Sequence, residues 1–261
     1  MNGKRAGEVL LRATENVVGA TIDRPAARNA IDGGVIEGLA AAVDLAEETG
    51  ARVLTIRGAG GTFCAGADLG CLERMRSDPA RVEKFMAALG EVLDRIEAAP
   101  FGTVAVVEGF AVAGGCELLL ACDVVVAATT ARIGDRHAEL GLAPAAGGSV
   151  RLARLPKARA NYLLLSGELL SGEEAEHWGL VTMAVAPQDV ELVADEVVTR
   201  LAGRSGQALA VTKRMLAGAK AEALLQEREL FVRHVGSADV GEGLAAFRER
   251  RLPVFDGKVR P

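Results

Sequence analysis

The sequence predicts an α/β protein with mostly parallel strand pairing, followed by a purely helical C-terminal region. Up to about residue 200, short apolar runs of strand length alternate with segments whose apolar residues recur at helical spacing. This alternation is typical of α/β domains. Beyond that point only helical spacing remains. The length of 261 residues suffices for one large α/β domain, or for a core domain with an appendage.

The predicted elements follow one another closely along the first half of the chain. Strands are indicated by short apolar runs that end at Gly, Pro or polar turn residues, and helices by apolar residues at i, i+3 and i+4. The predicted strands are 17–22, 53–56, 103–107 and 123–127, and the predicted helices are about 34–48, the segment between Pro79 and Pro100, and 117–122.

Three amphipathic helices are predicted in the C-terminal region, at 207–219, 222–235 and 240–250. Because no strands accompany them, their apolar faces must be buried against another part of the structure. The sequence leaves two partners open. These helices either form an interface with another subunit or cover the core of their own chain.

The composition argues against several classes of function. The chain has 30 basic and 35 acidic residues, a net charge of −5, and aromatic residues make up only 3% of it. Proteins that bind nucleic acids usually present a basic face or aromatic stacking platforms, so no nucleic-acid partner is expected. The longest apolar runs fall far short of the roughly 20 residues that span a membrane. No signal peptide is visible, and we expect a cytoplasmic protein.

The four cysteines do not indicate a metal site. They lack the paired spacing of zinc ligands, and the chain has only three histidines. We therefore expect buried, reduced thiols, as in cytosolic proteins, and no bound metal. The cysteines are Cys64, Cys71, Cys116 and Cys122.

Three glycine-containing segments, 60–68, 109–117 and 141–149, precede helices or loops. Each alone is typical of an ordinary turn, and none is a phosphate loop or a dinucleotide fingerprint. Together, their small residues would let a ligand carbonyl approach backbone N–H groups. Gly114 is well placed for this, because the first amides of a helix lack partners and favour a developing negative charge.

Glu117 follows Gly114 by three residues, which places the two on the same side of a helix. Its carboxylate could exchange a proton with a group that the Gly114 amide polarises, or it could cap its own helix. The spacing leaves both roles open. The apolar neighbours, Cys116 and 118–120, favour the first role, because an idle carboxylate in such a setting would be costly.

Several motifs, in this order, resemble those of the enoyl-CoA hydratase/isomerase (crotonase) superfamily. No single one is specific, but together they extend from about Ile22 to Phe255. The motifs are 23–30 (DRPAARNA), 62–69 (TFCAGADL), 109–118 (GFAVAGGCEL) with Cys122 and Asp123, 141–152 (GLAPAAGGSVRL), 165–168 (LSGE) with 175–181 (AEHWGLV), and 246–255 (AFRERRLPVF).

The resemblance implies two regions and a substrate class. A spiral of ββα units at 1–200 would carry an acyl-CoA site, and helices at 201–261 would form a homotrimer or a dimer of trimers. The substrate would be an acyl-CoA thioester whose acyl group contacts the segment 72–87. No separate cofactor is implied, because coenzyme A enters as part of the substrate.

The resemblance also implies roles for individual residues. Ala67 and Gly114 would supply two backbone N–H groups to the thioester oxygen as it becomes an enolate, and Glu117 would be the acid–base residue. Removing one such donor costs about 3 kcal/mol in studied enzymes. Arg28 would pair with a phosphate of CoA, or equally be a solvated turn residue. The residues implied to bind the CoA thioester are Arg28, Ala30, Ala65, Ala67, Asp68, Leu69, Val112, Gly114 and Leu142.

One segment, 133–142, departs from the family's pattern. Hydratases of this family use a second glutamate, and counting back from the double glycine of the next motif places His137 at its position. If the segment were extended, Asp135 and Glu139 would share a face with His137. An imidazole beside Glu117 could be a general acid or base at neutral pH. It could also be a structural histidine that bonds a backbone carbonyl.

The function favoured by these features is hydration of a 2-enoyl-CoA, with Glu117 and His137 as the acid–base pair. An isomerase that shifts the double bond would need only one base and the two amides. A third alternative is an acyl-CoA-binding protein without catalysis. Hydrolysis of carbon–carbon bonds in diketones is disfavoured, because His137 would need an acidic partner and the expected positions hold Ala145 and Ala146.

Overall fold

The structure is a computed structural model that describes most of the chain. Within the described residues, strands and helices alternate up to a helix that ends at Ala202, and only helices follow. The α/β order predicted from the sequence is therefore confirmed. The ends of one predicted C-terminal helix and of the last motif lie outside the described residues. The structure describes residues 3–217 and 221–254, and does not describe 1–2, 218–220 and 255–261.

Short apolar runs form the central strands of the chain, and Gly, Pro or polar turn residues lie near their ends. The strands of the described residues are β1 (Lys4–Ala6), β2 (Val9–Ala13), β3 (Val17–Ile22), β4 (Val53–Gly58), β5 (Gly102–Val107), β6 (Phe110–Val112), β7 (Val124–Ala128), β8 (Arg132–Gly134), β9 (Leu170–Ser171) and β10 (Met183–Val185).

These strands form two sheets. The larger has the order β1-β2-β3-β4-β5-β7-β10, and the smaller has the order β6-β8-β9. Pairing is parallel from β3 to β10, whereas β1 and β2 add to the edge in antiparallel fashion. In the smaller sheet β6 pairs in parallel with β8, which pairs antiparallel to β9.

Polar caps and glycines set the helix ends. The side chain of Asp32 accepts the N–H of Val35 at 3.0 Å at the start of the first helix, and Gly50, with φ of 64°, ends it. The helices are α1 (Gly33–Thr49), α2 (Leu69–Met75), α3 (Pro79–Ala98), α4 (Gly114–Leu120), α5 (Gly148–Leu152), α6 (Lys157–Ser166), α7 (Gly172–Trp178), α8 (Val190–Ala202), α9 (Gly206–Ala217), α10 (Ala221–His234) and α11 (Ala238–Glu249), with 3₁₀ turns at Pro25–Ala27, His137–Leu140 and Pro187–Asp189.

The main core lies between the larger sheet and the helices packed on it. Every residue of β5 is buried, as expected for a parallel strand covered on both faces. Ala, Val, Leu and Ile fill most of this core, and Phe63 and Phe101 contribute its fully buried aromatic rings. Many aliphatic side chains in close contact thus fill the core in place of aromatic rings.

The C-terminal helices pack on the core of their own chain. Helix α10 contacts α3, and α11 contacts the 3₁₀ turn at His137–Leu140. The structure therefore shows these helices covering the core of their own chain, which is one of the two arrangements that the sequence left open. Helix α8 runs across position 200, and the division into 1–200 and 201–261 with an oligomerising role stays a prediction. The second apolar cluster, shared by core and C-terminal helices, comprises Leu72, Met75, Val82, Met86, Leu142, Ala145, Phe231, Val235, Val240 and Leu244.

Some elements differ from the sequence prediction. The helix predicted at 117–122 begins earlier, at Gly114, and ends at Leu120. Strands β1 and β2 and helix α2 were not predicted. Strand β1 is mostly exposed and is held by pairing with β2, an interaction that its own short sequence does not indicate.

A first prediction concerns Gly115 in α4, which has no room for a side chain. A Cβ there would lie 2.3 Å from the carbonyl oxygen of Cys64, a backbone atom. We predict that Gly115→Ala lowers the free energy of unfolding in urea by about 2 kcal/mol or more. Gly33→Ala is the control, since a Cβ at that position meets nothing within 4 Å. An equal loss in both variants would contradict the steric explanation.

Candidate active site

A cavity of about 1030 Å³ opens beside the N-terminus of α4. Its wall includes every residue that the sequence analysis assigned to the site, although these residues come from widely separated segments. They are the catalytic candidates Ala67, Gly114, Glu117 and His137, and the CoA-binding candidates Arg28, Ala30, Ala65, Asp68, Leu69, Val112 and Leu142.

On the cavity wall, the backbone N–H groups of Ala67 and Gly114 donate to no backbone acceptor within the described part of the chain. A Cβ on Gly114 would lie 3.4 Å from the nitrogen of Ala67, so the two amides are adjacent. Ala113, just before them, has φ of 50° and ψ of −121°, a conformation that non-glycine residues rarely adopt outside functional sites. The pair is suited to hold an oxygen that gains negative charge.

Buried polar side chains fix the loops on one side of the cavity. Asn29 is fully buried, with φ of 57°. Its side chain accepts the N–H of Arg24 at 3.0 Å and donates to the carbonyls of Ala59 and Thr62 at 2.8 and 2.6 Å. Arg24 in turn donates to Asp68 at 3.1 Å. These bonds tie the loop before α1 to the loop that presents Ala67.

Glu117 lies in the first turn of α4 and is only 2% exposed. Its Oε1 atom accepts the backbone N–H groups of Ala145, Ala146 and Gly148 at 3.3, 2.8 and 2.9 Å. These donors belong to the loop that leads into α5. Glu117 therefore does not cap its own helix, which was the structural alternative, and Oε2 is left for a ligand in the cavity.

The surroundings of Glu117 move its pKa towards neutrality. Burial raises the pKa most, and the charges of Glu227 and Asp135 raise it further. The charge of His137 and the amide of Ala146 act in the opposite direction. The resulting pKa is about 7, so this carboxyl group can both take up and release a proton near neutral pH.

His137 is paired with an acidic residue that the sequence analysis did not assign to it. Its Nδ1 lies 2.9 Å from Oδ2 of Asp135, and both side chains are buried. Nδ1 and Oδ2 lie at ion-pair distance but are not aligned as a hydrogen bond, and Nε2 is the ring nitrogen left for the cavity. Burial lowers the pKa of His137, but the neighbouring Asp135, with the charges of Glu117 and Glu227, raises it to about 9. The imidazole is therefore a cation at neutral pH.

The structure around His137 corrects two expectations from the sequence. The argument against diketone hydrolysis was wrong in its premise, because the acidic partner of His137 is Asp135, two residues before it. Glu139 does not share a face with these two, since the segment forms a 3₁₀ turn rather than a strand. Instead Glu139 is exposed at the cavity rim and pairs with Arg136 at 2.6 Å.

The sequence analysis missed the contribution of the C-terminal helices. Phe231 of α10 and Phe247 of α11 line the cavity, together with Leu72 and Met86 of the segment 72–87. Phe231 stands on the apolar face of its helix, which predicts burial but does not say against which surface. The cavity thus has an apolar wall that only the packing of distant helices creates.

The cavity rim carries basic side chains. The guanidinium of Arg28 lies 5.8 Å from the centre of the Phe110 ring, a cation–π contact that holds it at the rim. Arg248 and Arg250, at the end of α11, line the same cavity. This arrangement suits a ligand with anionic groups at the entrance and an apolar group inside.

Within residues 3–217 and 221–254, no group of His, Cys, Asp and Glu side chains could hold a metal ion. No helix in that part of the chain has both the length and the apolar character needed to cross a bilayer. The four cysteines are free, and burial raises the pKa of the Cys64 and Cys122 thiols to about 12.

Comparison with known proteins gives one consistent result. The sequence profile of the family described as "Enoyl-CoA hydratase/isomerase" matches residues 12–258. The chain is 35% identical over 253 residues to "Probable enoyl-CoA hydratase echA8" of Mycobacterium bovis, covering 95% of this chain and 97% of that protein. It is 39% identical to human "Enoyl-CoA hydratase domain-containing protein 2, mitochondrial", covering 91% and 84%.

The fold gives the same result. A crystal structure of an enoyl-CoA hydratase from Mycobacterium avium subsp. paratuberculosis K-10 superposes with a TM-score of 0.84 at 30% identity, covering 95% of this chain and 98% of that one. The crotonase-like fold that the motifs implied is therefore confirmed.

A second prediction concerns the ionisation of His137. We expect its ring to titrate at about pH 9 in an NMR titration, with His177 and His234 as internal references. Asp135→Asn removes the charge that raises this pKa, so the titration of His137 should move to lower pH. An unchanged His137 titration in Asp135→Asn would show that the ion pair is not formed in solution.

Proposed function

The chain belongs to the enoyl-CoA hydratase/isomerase family, and we propose that it adds water across the double bond of 2-enoyl-CoA thioesters. The observation that carries this proposal is the presence, on one cavity wall, of two free amides and two proton-transferring groups. The amides are those of Ala67 and Gly114, and the groups are Glu117 and His137. Hydration requires one site for a developing enolate, one base and one acid.

In the proposed first step, the thioester oxygen of the substrate accepts hydrogen bonds from the amides of Ala67 and Gly114. The Glu117 carboxylate takes a proton from a water molecule while the water oxygen bonds to C3. The electron pair of the double bond moves onto the thioester oxygen, which becomes an enolate. Donors already fixed in place lower the energy of this charge without reorganisation.

In the second step the enolate collapses and C2 takes a proton from the His137 imidazolium. Asp135 supports this role, because its charge, 2.9 Å from Nδ1, keeps the ring protonated at neutral pH. The proton held by Glu117 then passes to solvent and the imidazole regains one, which restores both groups. His137 is thus proposed to act where other hydratases of this family use a second glutamate.

The rest of the cavity supports a CoA thioester as the ligand. The basic rim with Arg28 suits the phosphates of coenzyme A, and the apolar wall with Phe231 suits an acyl chain. No separate cofactor is proposed. We also propose a cytoplasmic location and a homotrimer or dimer of trimers. Exposed apolar side chains on the C-terminal helices, such as Leu230 and Phe247, support an interface.

Three other functions fit the same scaffold. An isomerase on the same scaffold would shift the double bond of a 3-enoyl-CoA, with one base and the amide pair. A non-catalytic protein would bind acyl-CoA without turnover. Diketone hydrolysis is favoured by the His137–Asp135 pair alone, but the raised pKa of His137 supports an acid there rather than the base that would activate water.

A third prediction tests the reaction itself. Purified protein should hydrate a short 2-enoyl-CoA, followed by the loss of absorbance of the conjugated thioester, and Glu117→Gln should lower kcat at least about a hundredfold. Binding of an unreactive acyl-CoA, measured by calorimetry, should stay unchanged in this variant. Exposed Glu91 on α3 supplies the control variant Glu91→Gln, which should behave as the wild type.

Each contrary outcome identifies an alternative. Conversion of 3-enoyl-CoA to 2-enoyl-CoA without hydration would support the isomerase. Binding without any turnover would support the non-catalytic protein. Near-normal hydration by Glu117→Gln would remove Glu117 from the mechanism.

A fourth prediction follows from the two pKa values. Glu117 acts as a carboxylate, so kcat should rise with pH through about 7. His137 acts as a cation, so kcat should fall above about pH 9. In His137→Asn, the weak remaining activity should lose the fall at high pH. Its rise should move to higher pH, because the cation that lowers the pKa of Glu117 is gone. Persistence of the fall would assign it to another group.

A further inference from the structure

The loop at 145–149 offers five consecutive backbone amides to two carboxylates. Glu117 accepts those of residues 145, 146 and 148, as described above. The remaining two, from Gly147 and Ser149, point to a second acid, Glu227 of α10. The loop is therefore held between two carboxylates, one from the core and one from the C-terminal helices.

Glu227 is bound tightly to this loop. One carboxylate oxygen accepts the N–H of Gly147, and the other accepts the N–H of Ser149 at 2.6 Å and its hydroxyl group. The residue is only 7% exposed. None of the ion pairs found within the described residues includes it. Its carboxylate is therefore held by the amides of Gly147 and Ser149 and by the Ser149 hydroxyl group.

Arg151 provides a further contact to the 145–149 loop. The fully buried Arg151 donates from Nη1 to the carbonyl of Ala146 at 2.6 Å. Its other nitrogens pair with Asp94 and Glu97 of α3 at 2.9 and 3.0 Å. The loop is thus anchored to α3 through Arg151 and to α10 through Glu227.

We propose that Glu227 is a positioning residue: its carboxylate holds the 145–149 loop in the conformation needed by Glu117 and adds a negative charge to the buried region that Glu117 and His137 share. This inference rests on the proposed function for its catalytic consequence. Its structural and electrostatic parts do not depend on turnover.

Several charged groups surround Glu117 and His137. Glu227 raises the pKa of both Glu117 and His137, although its effect on each is smaller than the effect of burial. Asp135 acts in the same direction on both. The titratable and charged groups around the pair include Cys116 of α4, Asp135, Arg136 and Glu139 beside His137, Arg151 of α5, Asp94 and Glu97 of α3, and Glu227 and Arg228 of α10.

A fifth prediction separates charge from position with two variants of Glu227. Glu227→Gln removes the charge but keeps the length, so the pKa values of Glu117 and His137 should both fall. The pH profile of kcat should then move as a whole to lower pH, by roughly half a pH unit. Glu227→Asp keeps the charge but shortens the reach, so kcat should fall about tenfold with the profile unmoved.

The control is Glu229→Gln, which removes the same charge from an exposed position of the same helix. NMR titration of His137 in each variant, with His177 as reference, gives a readout that needs no turnover. A lower His137 pKa in Glu227→Gln alone supports the proposal, even if the enzyme proves to catalyse another reaction. An unchanged His137 pKa, or an equal shift in Glu229→Gln, overturns it.

Discussion

The candidate site depends on keeping one carboxylate out of water. Removing an ionised carboxylate from solvent is costly unless hydrogen bonds replace the water. Glu117 meets this condition through three amides that converge on one of its oxygens. The same burial moves its pKa to a range in which proton transfer is useful. Stability and chemistry at this position therefore have the same physical origin.

This constraint extends to the backbone around Glu117. The loop can present its amides only if it comes close, and a Cβ on Gly148 would lie 3.0 Å from Oε1 of Glu117 and 3.2 Å from Oδ2 of Asp135. A Cβ on Gly147 would lie 1.9 Å from the Arg151 guanidinium. Part of the glycine content noted in the sequence is thus required by close approach around a buried acid, rather than by turns alone.

How far the site could be predicted depends on the sequence distance involved. Gly114 and Glu117 are three residues apart on one helix, so local spacing relates them. Asp135 and His137 are also close in sequence, yet their contact requires the 3₁₀ turn that follows Arg136, a non-glycine residue with φ of 58°. No periodicity indicates that turn. Glu227 approaches the loop from 78 or more residues away, through helix packing that no local pattern encodes.

A histidine at position 137 suits the charges around it. Glu117, Asp135 and Glu227 bring three carboxylates into one buried region, and the His137 pKa responds to all three. A glutamate at position 137 would add a fourth carboxylate beside Asp135, and like charges at such a distance cannot all remain ionised. A histidine instead supplies a cation that compensates part of the negative charge and still carries a transferable proton. The histidine at position 137 and the carboxylates of Asp135 and Glu227 are therefore parts of a single electrostatic arrangement.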